Sequence, residues 1–207
     1  MKPISIGLWA LFASTTAWAQ LANFDSDAAG SAPQGWTCAV PGRGSPRWAV
    51  AADPSAPTKP NVLQQTGSGT FPWCVKSGTS LADGFVEVKF KSISGREDQA
   101  AGVVWRWKDG GNYYVARANA LENNVSLYYN EGGRRKTLKY VDAPVALGTW
   151  HTLRVEFAGT RIAVLLNGKR FIELQDSRIS GPGAVGVWTK ADSVTAFDDF
   201  SYGASVP

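Results

Sequence analysis

A single histidine, His151, stands in 207 residues, so a histidine-based metal cluster is excluded. Cysteine is almost as scarce. Cys38 and Cys74 are alone, 36 positions apart in sequence. Without a second ligand pair, a structural zinc site or a redox motif is disfavoured. No apolar run after residue 13 is long enough to cross a bilayer. No stretch repeats apolar residues every three to four positions over a useful helical length. Acidic residues are scattered, with none of the paired spacings that mark a complete glycosidase array on one strand.

What is present begins with a leader. Lys2, the apolar run Ile4 to Ala13 and Ala17-Trp18-Ala19 form a charged segment, a hydrophobic segment and a small-residue cleavage site. Residues 1–19 are therefore expected to be a signal peptide, with residues 20–207 as one exported domain, periplasmic or secreted. Removing 19 of 207 residues leaves 188, enough for one core. The formal charge of +4 becomes +3 without Lys2. The positive residues are dispersed, so neither a nucleic-acid partner nor a membrane span is expected. The one cluster, Arg134-Arg135-Lys136 beside Gly132-Gly133, reads as a solvated hairpin tip. Export places Cys38 and Cys74 in an oxidising compartment, where a disulfide between them is expected.

The mature chain has an all-β pattern. Twenty-two Gly and 11 Pro punctuate short runs of Val, Trp, Tyr, Phe and Thr. Val86, Val88 and Phe90 alternate with Glu87, Lys89 and Lys91. His151, Leu153, Val155 and Phe157 alternate with Trp150, Thr152, Arg154 and Glu156. Asn167-Gly168 marks a tight hairpin. A dozen or more closely spaced strands imply a two-sheet antiparallel β-sandwich, a jelly roll.

Residues 98–129 hold most of the polar aromatic character. A four-residue turn, Lys108 to Gly111, pairs Trp107 with Asn112, Arg106 with Tyr113, Trp105 with Tyr114 and Val104 with Val115. Trp105 and Tyr114 then face the core, while Arg106, Tyr113 and Arg117 share the other face. Planar guanidinium donors beside a phenol suit sugars, which present C–H faces and hydroxyl edges. A ladder of Arg stacked on Tyr, with no ligand, is the alternative. Asn119 and Glu122 lie in the following turn, where they cap the backbone or reach a ligand hydroxyl. Trp188 is a stacking platform at the rim or a core residue. His151 sits on the inward face of its strand and reads as a packed histidine. Asp25 belongs to the first strand and Asp198 and Asp199 to the last. Such strands often run side by side, so the three are candidate ligands for a structural Ca²⁺, or else exposed acidic residues. No other cofactor is expected.

The runs NYYVARANALENNV, GTWHTLRVE and GAVGVWTKADSVTAFDDF together resemble exported bacterial domains of the concanavalin A-like lectin/glucanase superfamily, in its laminin-G-like jelly-roll branch. They are also similar to the neighbouring family labelled 3-keto-disaccharide hydrolase. The resemblance spans about Leu21 to Tyr202. It implies a carbohydrate partner, bound by a lectin-like sheet face or cleaved by a glycoside hydrolase. A third implication is an envelope scaffold with no small ligand. The Glu-x-Asp-x-x-Glu strand of the glucanase branch is absent, so its catalytic residues have no counterparts here.

Overall fold

The computed structural model describes residues 19–204. The leader expected over residues 1–19 thus lies outside the described residues, apart from Ala19. Strands follow one another along the chain: β1 (Gln20–Ala22), β2 (Trp36–Ala39), β3 (Gly44–Ser45), β4 (Trp48–Ala52), β5 (Asn61–Gln65) and β6 (Ser68–Gly69). Then come β7 (Trp73–Lys76), β8 (Gly84–Ser94), β9 (Ala100–Asp109), β10 (Asn112–Asn119), β11 (Asn124–Glu131) and β12 (Arg134–Asp142). The series ends with β13 (His151–Ala158), β14 (Arg161–Leu166), β15 (Lys169–Gln175), β16 (Ala184–Trp188) and β17 (Val194–Gly203).

These strands build two large antiparallel sheets. One runs β15-β14-β13-β8-β17-β5-β4, with β1 also on β17; the other runs β12-β11-β10-β9-β16-β7-β2. The all-β sandwich expected from the spacing of turn residues is what the chain forms. No helix among the described residues is long and apolar enough to cross a membrane.

The alternations place the core. Val86, Val88 and Phe90 of β8 and Leu153, Val155 and Phe157 of β13 face inward from the first sheet. Trp105, Tyr114, Ala116, Leu127, Val185 and Val187 meet them from the second. Trp105 stacks on Tyr114 at 5.2 Å and on Phe157 at 6.0 Å. Burying a side chain of this size contributes roughly 1.5–3 kcal/mol, so this interior supplies most of the drive to fold. His151 is packed against Phe90, 5.4 Å between ring centroids. Asn167 donates to its Nδ1 at 3.0 Å, and Nε2 lies 3.1 Å from the carbonyl of Ala146. With the Asn167 amide donating at Nδ1, the hydrogen bond to Ala146 is one that an Nε2–H donates.

Cys38 and Cys74 are directly paired residues of β2 and β7 and form a disulfide. The Gly132-Gly133 turn joins β11 to β12 and sets Asn130 opposite Arg135. That register carries Arg135 off the hairpin tip and onto the sheet.

Candidate functional site

The second sheet also buries side chains on its outer face. Along β10 the inward residues are Tyr114, Ala116 and Ala118, which leaves Tyr113, Val115, Arg117 and Asn119 on the outside. Tyr113, Val115, Val104, Val75, Tyr128 and Trp188 make a second apolar cluster there. Trp188 reaches this face because Val185 and Val187 occupy the core side of β16. Gly102, its register partner on β9, leaves the space: a Cβ at that position would lie 3.1 Å from the indole. The Trp188 indole N–H donates to the Tyr113 hydroxyl at 3.3 Å. Burial pushes the Tyr113 phenol up to about 12, so it stays protonated.

Phe71, from the segment between β6 and β7, stacks over Trp188 at 5.7 Å. Arg135 reaches across from β12. Its guanidinium lies 4.3 Å from the Tyr128 ring, 4.8 Å from Phe71 and 5.7 Å from Trp188. Cation–π contacts of this kind contribute about 0.5–2 kcal/mol each, more as water is removed.

Next to the aromatic floor is a polar one, centred on Asp98. This carboxylate has no exposed surface. It accepts from Asn119 Nδ2 at 2.8 Å, from Lys190, and from Arg117 Nη1 at 3.5 Å. Arg117 Nη2 reaches Glu122 at 2.5 Å and Asn124 Oδ1 at 3.0 Å. Asn124 in turn donates to the Tyr140 hydroxyl at 2.6 Å and to Glu122 at 2.8 Å. Asn119 Oδ1 accepts from the backbone N–H of Leu121 and Glu122, which fixes the turn that delivers Glu122. Burial alone would raise the Glu122 carboxyl, but hydrogen bonding from Asn124 and the Arg117 charge outweigh it and hold the group below its usual range. Such a carboxylate is an ion-pair partner; a glycosidase general acid needs the opposite shift.

Beside these groups opens a cleft of about 530 Å³ lined by Phe71, Arg135, Lys190, Arg43, Glu97 and Asp192. Asp192 shapes the margin by accepting from the backbone N–H groups of Arg96, Glu97 and Asp98 at 2.7, 3.0 and 3.1 Å. The volume and the mix of ring faces, cations and backbone fit a small polar ligand.

No protein-family model matches the sequence, and no curated protein matches it. Solved structures do. A carbohydrate-binding module, CBM66 from Bacillus subtilis, superposes with a TM-score of 0.67 at 21% identity, covering 82% of this chain and 95% of that one. The cellulose-induced protein Cip1 gives 0.64 at 14% identity over 91% and 98%. A β-glucanase from Bacillus licheniformis gives 0.59 at 11% identity over 93% and 100%. The fold is the concanavalin A-like jelly roll. At these identities the likeness speaks for the fold.

Within the concanavalin A-like sandwich, the residues singled out from sequence part company. Trp105–Tyr114 and Val104–Val115 pair as expected, and the turn closes with Asp109 opposite Asn112. Between those pairs, Arg106, Trp107 and Lys108 stand opposite Tyr113 alone. This is a β-bulge, with Arg106 in the left-handed region at φ 46°. The expected pairing of Trp107 with Asn112 and Arg106 with Tyr113 therefore does not form. Arg106 leaves the outer face altogether. It donates to the carbonyls of Ala82, Ile179 and Gly159 at 3.1, 3.2 and 2.7 Å and sits 5.7 Å from the ring of Phe157, a core residue.

Tyr113, Arg117, Asn119 and Glu122 do share the outer face; the last three belong to the Asp98 network, while Tyr113 bonds to Trp188. Arg117 is only 2% exposed and Trp188 not at all, so Trp188 is part of the floor and not of the rim. The accessible groups are ones the sequence pattern hid: Phe71, Lys190 and above all Arg135. Parity along β12 does not reveal it, because Leu138 and Val141, of opposite parity, both pack against the core across a bulge at Leu138; the pairing of Arg135 with Asn130 is what sets it on the outer face.

Asp25, Asp198 and Asp199 are brought around one loop. Asp25 accepts from the backbone N–H of Asn61 at 2.9 Å, Asp198 from that of Thr58 at 2.8 Å, and Asp199 from the Thr58 hydroxyl at 2.6 Å. Asp199 also pairs with Lys89 at 2.8 Å. Protein donors thus use oxygens that a Ca²⁺ ion would need, and no group of three or more metal-ligating side chains arises among the described residues.

Proposed function

We propose that this chain is an exported carbohydrate-binding module that takes a sugar into the cleft over the outer face of the β12-β11-β10-β9-β16-β7-β2 sheet. The observation that carries it is the half-buried surface that Phe71 and Arg135 present to the cleft, packed on the buried Trp188 and Tyr128. Flat apolar surface suits the C–H face of a pyranose or furanose ring. Guanidinium and ammonium donors at its edge suit the hydroxyls. The similarity of fold to CBM66, a carbohydrate-binding module by its description, supports the same reading. A module that binds needs no general acid, and the lowered Glu122 carboxyl accords with that. The Cys38–Cys74 bridge fits an oxidising compartment outside the cytoplasm.

Affinity electrophoresis and calorimetry against a panel of neutral and acidic polysaccharides test the proposal. At least one polymer should retard the wild type, and Phe71→Ala should weaken that interaction roughly tenfold or more, the scale of a lost stacking contact. If no polysaccharide in the panel binds, or if Phe71→Ala binds as well as wild type, the proposal fails.

A further inference from the structure

Arg43, Arg135 and Lys190 line the cleft, and Lys190 is linked through Asp98 to the buried Arg117. Arg117 faces Asp98 and Glu122, and Lys190 faces Asp98. Arg135 faces no carboxylate within ion-pair distance among the described residues, and its side chain makes no hydrogen bond there. Its Nη1 is buried without a partner. Burial draws the Arg135 guanidinium below its ordinary value, an uncommon strain for this group.

The nearby acids do not fill the gap. Asp192 spends its oxygens on three backbone N–H groups. Glu97 is exposed and forms no ion pair among the described residues. The rings of Phe71, Tyr128 and Trp188 surround the guanidinium at 4.8, 4.3 and 5.7 Å. Ring quadrupoles offset only part of a cation's lost hydration. What such a clamped, flat fork lacks is an anion in its plane. The best geometric match is a carboxylate, which takes two parallel N–H···O bonds.

Resting on the reading that the cleft binds a glycan, we infer that the glycan is acidic: a uronate unit whose carboxylate pairs with Arg135 while its ring lies against Phe71. Lys190 and Arg43 also line the cleft and supply further positive charge. Binding is therefore expected to weaken with salt, because ions screen the attraction between a polyanion and the cations of an open cleft.

The test uses the wild-type chain, Arg135→Lys and Arg135→Ala with alginate, polygalacturonate, the same polymers after chemical reduction of their carboxyl groups, a sulfated galactan, and a neutral glucan. Near-ultraviolet circular dichroism confirms that the variants keep their packing. A uronate polymer should bind wild type at least roughly tenfold more tightly than its carboxyl-reduced form, and Arg135→Lys should lose a similar factor by giving up the bidentate fork. Equal affinity for native and reduced polymers overturns the uronate assignment and leaves the glycan reading standing. Preference for the sulfated polymer over both uronates also overturns it. Failure of every polymer to bind removes the glycan reading and this inference with it.

Discussion

Asp98 and Arg117 meet 3.5 Å apart on the outer face of the sheet, one with no exposed surface and the other 2% exposed. Their burial makes the pair a liability if either partner is removed. Asp98 also holds Lys190 and Asn119, and Arg117 also holds Glu122 and Asn124, so the contact is the middle of a network that sets the cleft floor.

Asp98→Ala should therefore leave the buried Arg117 with Glu122 as its one carboxylate among the described residues and take the acceptor from Lys190 and Asn119. Breaking a buried pair from one side costs about 3–5 kcal/mol, which for a domain of this size lowers the melting temperature by on the order of 10 °C. Differential scanning calorimetry of wild type and variant measures it. A shift under a degree or two would show that Arg117 finds other compensation.

Arg106 has a different job from the one its neighbours in sequence suggest. Arg106→Ala leaves three carbonyl oxygens and a bulge without their donor, so stability should fall by roughly 2–4 kcal/mol. Binding of whichever polysaccharide the wild type retains should stay within about twofold, because the side chain lies on the core side of the bulge. Urea denaturation and calorimetry give the two numbers independently.

Asp198 gives a pH dependence with a definite sign. Complete burial raises its carboxyl to about 6, and the charges of Asp199 and Asp25 add to the effect. The folded value exceeds the unfolded one near 3.8, so this group's favourable contribution is full below that pH and is lost as pH rises through about 6. The loss amounts to about 3 kcal/mol, two pH units and a little more at 1.36 kcal/mol each. Glu122, Asp53 and Asp192, whose carboxyls are lowered, act in the other direction and weaken the fold as pH falls. Subtracting the melting curve of Asp198→Asn from that of wild type between pH 4 and 7 isolates the Asp198 part. The difference should shrink as pH rises. A carboxyl carbon titration by nuclear magnetic resonance should show a midpoint near 6.

The Cys38–Cys74 bridge closes a loop of 36 residues. Chain-entropy arguments give it a contribution of about 3–4 kcal/mol. The Cys38→Ala, Cys74→Ala double variant should lose about that much stability by denaturant titration. Its secondary structure should persist, because β2 and β7 remain paired by backbone hydrogen bonds.

Much of the architecture was legible before any coordinates. Period-two alternation in β8 and β13 names their inward residues, because a strand with one dry face must repeat at that interval. Turn residues at short spacing, an expected disulfide and the Trp105–Tyr114 pairing follow from equally local rules. Tyr113, Arg117 and Asn119 share a face for the same reason: they sit two apart on one regular strand.

Only the tertiary structure decided where Arg106 and Arg135 go. A bulge breaks the alternation at Arg106, and nothing in the local sequence separates a four-residue turn from a two-residue turn with a bulge behind it. Arg135 looks like a solvated tip until β12 is laid against β11 and Phe71 closes over it from a segment more than sixty residues earlier. Periodicity carries information along one strand. Which distant ring covers a cation, and whether an anion stands near it, depends on contacts between strands far apart in the chain.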